Sequence, residues 1–202
     1  MQIHQHYLSK KNPKNIDLQL FKQYLALKYC SNCASKVTFK NIEGDHLPRF
    51  VCDNCEVVHY QNPRVIVGCL PIWNGEIMLC RRGIEPQYGF WNILGGFMEN
   101  NETVEQGALR EAKEESGINA NIKSLLSVFT VPHINQVHIH FLVELVEPTW
   151  HLTPETTEIQ FFNEANFPWE EIAFPSNVFT LKTFFANQKS GDWNVKIGNF
   201  TK

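Results

Sequence analysis

GGFMENNETVEQGALREAKEESGI, residues 95–118, is the stretch on which the reading of this chain turns. Its second half is a helix with both ends marked. Thr103-Val104-Glu105-Gln106 is a T-x-x-Q capping box, and Gly117 is the residue that stops the helix. Within it Glu111, Glu114 and Glu115 stand at i, i+3 and i+4, so three carboxylates project from about one face, while Val104, Ala108 and Ala112 form an apolar stripe elsewhere. Like charges at this spacing repel. A helix tolerates them when they are solvated, or uses them when hard divalent cations sit among the oxygens. By spacing alone the solvated acidic face is the commoner of the two.

Outward from this segment the chain alternates strands and helices. RVIVGCLPIW (64–73) and EIMLCRR (76–82) flank Asn74-Gly75, a hairpin signal because both central residues of a type I′ turn need positive φ. NIKSLLSVFTV (121–131), QVHIHFLVELV (136–146) and EIQFF (158–162) read as further strands. SNVFTLKTFFANQK (176–189), with Val178, Phe179, Leu181, Phe184 and Phe185, predicts a closing amphipathic helix. Strands interleaved with two helices point to an α/β sandwich whose sheet order the sequence does not give. Cys69 and Cys80 lie inside apolar strands and are expected to be inert core thiols.

Toward the N-terminus, Cys30-Ser31-Asn32-Cys33 and Cys52-Asp53-Asn54-Cys55 are two CxxC knuckles separated by 18 residues. That spacing lets two turns face each other across a short hairpin and close a tetrahedral thiolate site, a zinc ribbon. The other reading, a pair of disulfides, belongs to an oxidising compartment, and MQIHQHYLSKKNPKN has no apolar core of a signal peptide. The expected organisation is an N-terminal arm or helix (1–27, with Leu18, Phe21 and Leu25 at near-helical spacing), the ribbon (28–60) and the main domain (61–202).

Composition bounds the partners. Across 202 residues, 43% hydrophobic and 19% charged, with 15 Phe and 5 Trp, there is enough apolar surface for a packed core. A net charge of −3 leaves no global footprint for nucleic acid or anionic lipid, and no apolar run reaches membrane-spanning length. A soluble, cytoplasmic protein is expected, without nucleic-acid or membrane partners.

Gly96, five residues, Glu102, seven residues, then Arg110-Glu111-Ala112-x-Glu114-Glu115-x-Gly117-Ile118 resembles the Nudix box at every polar and glycine position. Ala112 replaces the more usual Leu, Val or Ile, and Leu94 stands where many members have Pro. The resemblance reverses the odds for the carboxylates. It implies a Nudix αβα sandwich with a mixed sheet, preceded by a small zinc ribbon, that cleaves a nucleoside diphosphate linked to another moiety with Mg2+ or Mn2+. In this resemblance Glu111 and Glu115 are the main metal ligands, Glu114 an additional one and the Gly95 carbonyl a backbone ligand. Arg110 and Glu102 hold the loop to the helix. One structural Zn2+ is held by Cys30, Cys33, Cys52 and Cys55. The late-loop carboxylate that assists is Glu155 or Glu158, and Arg81 and Arg82, at the end of a strand near the expected site, are expected to contact phosphate.

The ribbon, Asn62-Pro63-Arg64-Val65-Ile66-Val67-Gly68-Cys69, Gly89-Phe90-Trp91, residues 131–138 and FPWEEIAFPS (167–176) look like one ribbon-bearing Nudix group that includes ADP-ribose and FAD pyrophosphatases. A related group that cleaves NADH carries SQPWPFPxS, which FPWEEIAFPS matches poorly. Trp91, Phe97, His133 and Gln136 are expected to contact substrate, and Phe129, Trp169 and Phe174 offer further rings, with core packing claiming most of the aromatics. The partner implied is a small-molecule nucleotide, with a homodimer left open. The alternatives are an NADH pyrophosphatase and, in a different class, a Nudix-like ligand-sensing regulator.

Overall fold

A computed structural model describes residues 27–201; the expected N-terminal arm lies, but for its last residue, outside them. The chain divides into two compact units, one ending at Pro63 and one running on from Arg64. Among the described residues no helix is long and apolar enough to cross a membrane.

The first unit is a three-stranded antiparallel ribbon: β1 (Val37–Lys40), β2 (Arg49–Cys52) and β3 (Val58–His59), in that order. Val37 pairs with Cys52, which draws the two knuckles together. The four thiols are free of disulfides, and their sulfurs all lie within 4.8 Å of one another. Cys30 and Cys55 sulfurs are 3.6 Å apart and those of Cys33 and Cys52 3.4 Å. A tetrahedron with Zn–S of about 2.3 Å has edges of about 3.8 Å, so the cage has nearly the size of a ZnS4 centre. The asparagines cross over. Asn32 Nδ2 reaches the Cys55 sulfur and Asn54 Nδ2 the Cys33 sulfur, and the backbone N–H groups of Asn32 and Asn54 donate to Cys30 and Cys52. Donors aimed at every sulfur suit thiolates.

The second unit is built on a hairpin that forks. β4 (Arg64–Trp73) and β5 (Glu76–Arg82) are joined by Asn74 (φ 51°) and Gly75 (φ 84°), both in the left-handed region as a type I′ turn needs. They pair only at Ile72↔Ile77 and Trp73↔Glu76. Beyond that β5 takes β6 (Trp91–Asn92) as partner, while β4 takes β7 (Leu94–Phe97) on one edge and β9 (Gln136–Leu145) on the other. With β8 (Ala120–Val131), β10 (Thr156–Phe162) and β11 (Lys196–Asn199) the sheet runs β10-β5-β4-β9-β8-β11. It is mixed: β4 with β9 and β8 with β11 are parallel, and the other pairs antiparallel.

Period-two alternation then assigns two faces. Val67 and Cys69 of β4, Met78 and Cys80 of β5, and Phe141 and Val143 of β9 meet Ala108 and Ala112 of α1 (Val104–Ser116). Leu70, Ile77, Leu79 and Leu142 meet Leu181, Phe184 and Phe185 of α2 (Pro175–Ser190) on the other face. Helices therefore cover both faces, an αβα sandwich. Cys69 and Cys80 are buried, with the Cys69 thiol donating to the Ala108 carbonyl at 3.2 Å and pushed up to about 12 by burial.

Local details add to the sequence reading. Gly95 and Gly96, which precede the loop, form part of β7 because the forked hairpin leaves an edge of β4 free to pair with them. α2 starts at Pro175, whose fixed φ and missing N–H suit a first turn. β6 and β11 are too short, and β11 too polar, to show a period-two pattern.

A buried polar link joins α2 to the sheet. Thr180 Oγ1 donates to the Ser176 carbonyl (2.9 Å), so it must accept from Ser127 Oγ (2.7 Å) and His140 Nδ1 (2.6 Å). His140 thus carries a proton on Nδ1, and burial, which lowers it from 6.5 to about 3, keeps the ring neutral near pH 7.

Two outcomes follow from these features. Protein purified without chelator should hold one zinc per chain by elemental analysis. Its removal should raise hydrogen exchange in residues 28–60 before the rest of the chain; no bound zinc together with reactive cysteines would refute the site. For His140, the folded value lies below the unfolded one, so unfolding takes up a proton below pH 6.5 and stability drops as pH falls from there toward about 3, by up to about 1.4 kcal/mol per pH unit. His140→Gln should flatten that part of the thermal-midpoint profile, and an unchanged slope would assign the proton uptake elsewhere.

Candidate active site

The capping box predicted at Thr103 is formed. Thr103 Oγ1 accepts from the Gln106 N–H and Gln106 Oε1 from the Thr103 N–H, and Gly117 caps the far end. α1 enters from the loop after β7, and Arg110 ties the two together. Its Nε and Nη2 donate to Glu102 Oε2 (2.9 Å) and Oε1 (2.8 Å) as a bidentate fork, and Nη2 also donates to the Phe97 carbonyl (3.2 Å). Nη1 donates to Glu111 Oε1 (2.9 Å) and Glu114 Oε2 (3.0 Å). Glu102 takes a further bond from the Glu99 N–H; the guanidinium first and that N–H second hold its carboxyl down to about 2.

The carboxylates differ in burial. Glu115 sits deepest, with Oε2 accepting from the Gly95 N–H at 2.9 Å. Burial above all pushes it up to about 8, with Glu111 and Glu155 adding to the rise and the Gly95 bond and Arg82 opposing it. Glu111 is raised by burial above all, with Arg110 opposing. Its carboxylate lies against the Gly96 backbone, where a Cβ would come within 2.5 Å of Oε2, so a side chain at Gly96 would displace the Glu111 carboxylate. Glu114 is the exposed one, with its Arg110 bond facing solvent. The four cysteine sulfurs are the one metal-ligating cluster to converge within 4.8 Å among the described residues; the helix carboxylates stand further apart, Arg110 spanning Glu111 and Glu114.

Beside Glu115 opens a small cleft lined by Arg82, Glu155, Asn92, Cys80, Ile84 and Thr156. The two late-loop carboxylates therefore part company. Glu155 faces Glu115, whereas Glu158 is bound by Arg81 Nε at 2.7 Å. Alternation also separates the arginines. Arg82 shares the parity of Cys80 and turns to the cleft, its Nε donating to the Pro86 carbonyl at 2.8 Å. Arg81 shares the parity of Leu79; it lies 4.3 Å over the Trp91 ring and donates to Gly89 O, Glu158 and Glu171.

Several expected contacts are not gathered there. Trp91 is 2% exposed, edge-on to Phe162 and covered by Arg81, so it offers no open face for stacking; core packing has claimed it. Phe129 is buried against Phe179, and Trp169 packs on Phe167 and Phe185. Phe97 is half exposed with Arg64 5.1 Å from its ring centre. Gln136 Oε1 is 3.2 Å from His138 Nε2, and His133 lies edge-on to Phe200. Asn92 was missed; the available signal was a lone amide inside the apolar run WNIL.

Comparison with known proteins agrees with this geometry. Residues 62–188 match the NUDIX domain, and residues 28–61 match the Nudix N-terminal zinc ribbon. The chain is 28% identical over 150 residues to an ADP-ribose pyrophosphatase of Methanocaldococcus jannaschii, covering 70% of this chain and 88% of that one. It is 32% identical over 117 residues to the NAD-capped RNA hydrolase NudC of Yersinia enterocolitica, covering 57% of this chain but 41% of NudC. The crystal structure of a NUDIX hydrolase from Nitrosomonas europaea superposes with a TM-score of 0.84 at 40% identity, covering 87% of this chain and all of that one (100%). A box with its Arg110 clamp and its glutamates intact, on a mixed sheet between two helices, agrees with both matches: the chain belongs to the Nudix family, as a pyrophosphohydrolase with an N-terminal zinc ribbon.

Proposed function

We propose that the protein hydrolyses the pyrophosphate bond of a dinucleotide-like nucleoside diphosphate, ADP-ribose or FAD, releasing AMP, with Mg2+ or Mn2+. The observation that carries this reading is the meeting of Glu115, Glu111 and Glu155 beside Arg82: Glu115 and Glu111, both raised chiefly by burial, lie with a further carboxylate next to one desolvated guanidinium. Buried carboxylates that raise one another suit a hard divalent cation, which oxygen donors hold best. Glu111 and Glu115 would hold it, with Glu114 and the Gly95 carbonyl as further donors. Such an ion supplies charge neutralisation of the diphosphate and a more acidic water.

The protein groups do the rest. The Gly95 N–H fixes which way Glu115 faces, and the Glu102–Arg110 fork keeps loop and helix in register. Arg82 is assigned to the phosphoryl oxygens and Glu155 to the proton of the attacking water. Water adds across one P–O bond: ADP-ribose gives AMP and ribose 5-phosphate, and FAD gives AMP and FMN. The free thiols of the ribbon and the core fit the reducing cytoplasm.

The lean toward ADP-ribose is supported by the M. jannaschii relative, most of whose length is matched. A second reading, NADH or an NAD-linked end, is favoured by the NudC relatives, although the match spans less than half of those proteins. The poor SQPWPFPxS match speaks against it: Trp169 is committed to the aromatic core, and Phe174-Pro175 opens α2. An intact set of helix glutamates argues against a ligand-sensing regulator.

Glu115→Gln should lower Mg2+-dependent turnover by at least about 100-fold without loss of thermal stability, since it keeps the volume and removes a charge that burial disfavours. Near-normal kcat in the folded variant at saturating Mg2+ would remove Glu115 from the metal site. In a panel of ADP-ribose, FAD, NADH and nucleoside triphosphates, with products identified, kcat/KM should be highest for ADP-ribose or FAD. Faster pyrophosphate release from triphosphates would overturn the substrate assignment and leave the metal site standing.

A further inference from the structure

Asn92 is an amide in the wall of an apolar core. It is 7% exposed and sits between Trp91 and Ile93, both core residues. Its Oδ1 accepts from Asn177 Nδ2 at 2.5 Å, and Asn177 is itself buried on α2. The bond fixes the amide with its carbonyl toward α2 and its NH2 group turned elsewhere.

That NH2 group donates to no protein acceptor among the described residues. Among those residues only His133 Nδ1 is a side-chain polar atom both sealed from solvent and without a partner. The Asn92 amide nitrogen is therefore open, and the space beside it is the cleft that Asn92 lines with Arg82, Glu115 and Glu155. The residue is buried but its amide nitrogen keeps access to the cleft, so water meets the donor in the free protein and a ligand acceptor can take that place. Next to a guanidinium, the ligand chemistry that matches is an oxyanion, which only accepts hydrogen bonds. Phosphoryl oxygens are of that kind.

We propose that the Asn92 side-chain amide donates to a non-bridging phosphoryl oxygen of a nucleoside diphosphate held beside Arg82. Asn177 is the positioning residue: from the opposite helix it keeps the donor, rather than the carbonyl, directed into the cleft. The inference rests on the pyrophosphohydrolase reading and adds to it a neutral donor for the phosphate, alongside the charged one.

Three variants separate donor from charge. Asn92→Asp keeps the oxygen that receives the Asn177 bond and loses the donor. Asn92→Leu loses the donor without adding charge. Asn177→Asp offers Asn92 an acceptor, so its amide turns over and presents oxygen to the cleft, with every cleft residue unchanged. Calorimetric binding of AMP in the presence of Mg2+ should weaken by about 5-fold or more in all three, and kcat/KM for ADP-ribose should fall by about 10- to 100-fold, in protein that still melts cooperatively. A purely structural role for the Asn92–Asn177 pair would lower the thermal midpoint and leave the AMP affinity of the folded protein unchanged. Wild-type affinity in folded Asn92→Asp or Asn92→Leu overturns the proposal, and these two suffice if Asn177→Asp does not fold. Wild-type protein that binds AMP but turns over no diphosphate refutes the enzymatic reading separately, while the AMP comparison still decides the role of Asn92. Failure of the wild type to bind AMP overturns the phosphate subsite itself.

Discussion

Arg110 carries five N–H donors on a rigid fork, and its five hydrogen bonds reach Glu102 twice, Glu111, Glu114 and the Phe97 carbonyl. The acceptors come from three places: the end of β7, the loop after it and α1 itself. One side chain thus sets the distance between the glycine strand and the helix that carries the glutamates. The need for such a fixture follows from what α1 buries. Gly107, Ala108, Ala112 and Ser116 are its buried residues, and a methyl-sized group contributes only about 0.8 kcal/mol on burial. Small residues let the helix come close to the sheet, yet they leave its register weakly specified by packing. The polar fork, the Gly95–Glu115 bond and the Cys69–Ala108 contact specify it instead.

Close approach is also what the forked hairpin provides. β4 and β5 separate after two residue pairs, and β6 and β7 fill the opening as one continuous segment. The same segment therefore delivers Asn92 to the cleft and the Gly95–Gly96 backbone to Glu115 and Glu111. A regular hairpin pairing along its full length would have closed that gap. The site is consequently a property of strand pairing as much as of the helix motif, although only the helix motif has a conspicuous sequence pattern.

That difference explains what could be read in the sequence. The capping box, the Asn74-Gly75 turn, the long strands and the cysteine cage are encoded by residues a few positions apart, where local geometry leaves few choices. The helix face shared by Glu111, Glu114 and Glu115 was legible for the same reason, whereas spacing alone favoured a solvated acidic face and only the resemblance pointed to metal. β6, β7 and β11 were not, because two to four residues cannot show a period and their pairing depends on which edge the fork or β8 leaves free. The aromatic residues misled in the case of Trp91: a large ring near the motif reads equally well as core or as stacking surface, and only the neighbours Arg81 and Phe162 decide. For Arg81 against Arg82 the sequence held a usable signal, the alternation of β5, which places Arg82 with Cys80 on the α1 face. The register shift between Thr156 and Glu158 removes the same simple counting from β10.

The two faces of the sheet divide the work between stability and chemistry. On the α2 face Leu181, Phe184 and Phe185 pack against Leu70, Ile77 and Leu79, and each large side chain fully buried there contributes roughly 1.5–3 kcal/mol. On the other face α1 itself buries only small side chains, next to carboxylates whose burial opposes their charge, an arrangement that costs stability wherever no counter-charge is at hand. An unfavourable cluster of this kind can persist only on a scaffold secured elsewhere. The aromatic packing under α2 and the Ser127–Thr180–His140 link give that security from the opposite side of the same strands. The consequence is that a neutral, volume-conserving change at Glu115 removes a charge that burial disfavours, the same change at Glu102 breaks the fork that holds the helix in register, and truncations under α2 loosen the platform on which the whole acidic face is held.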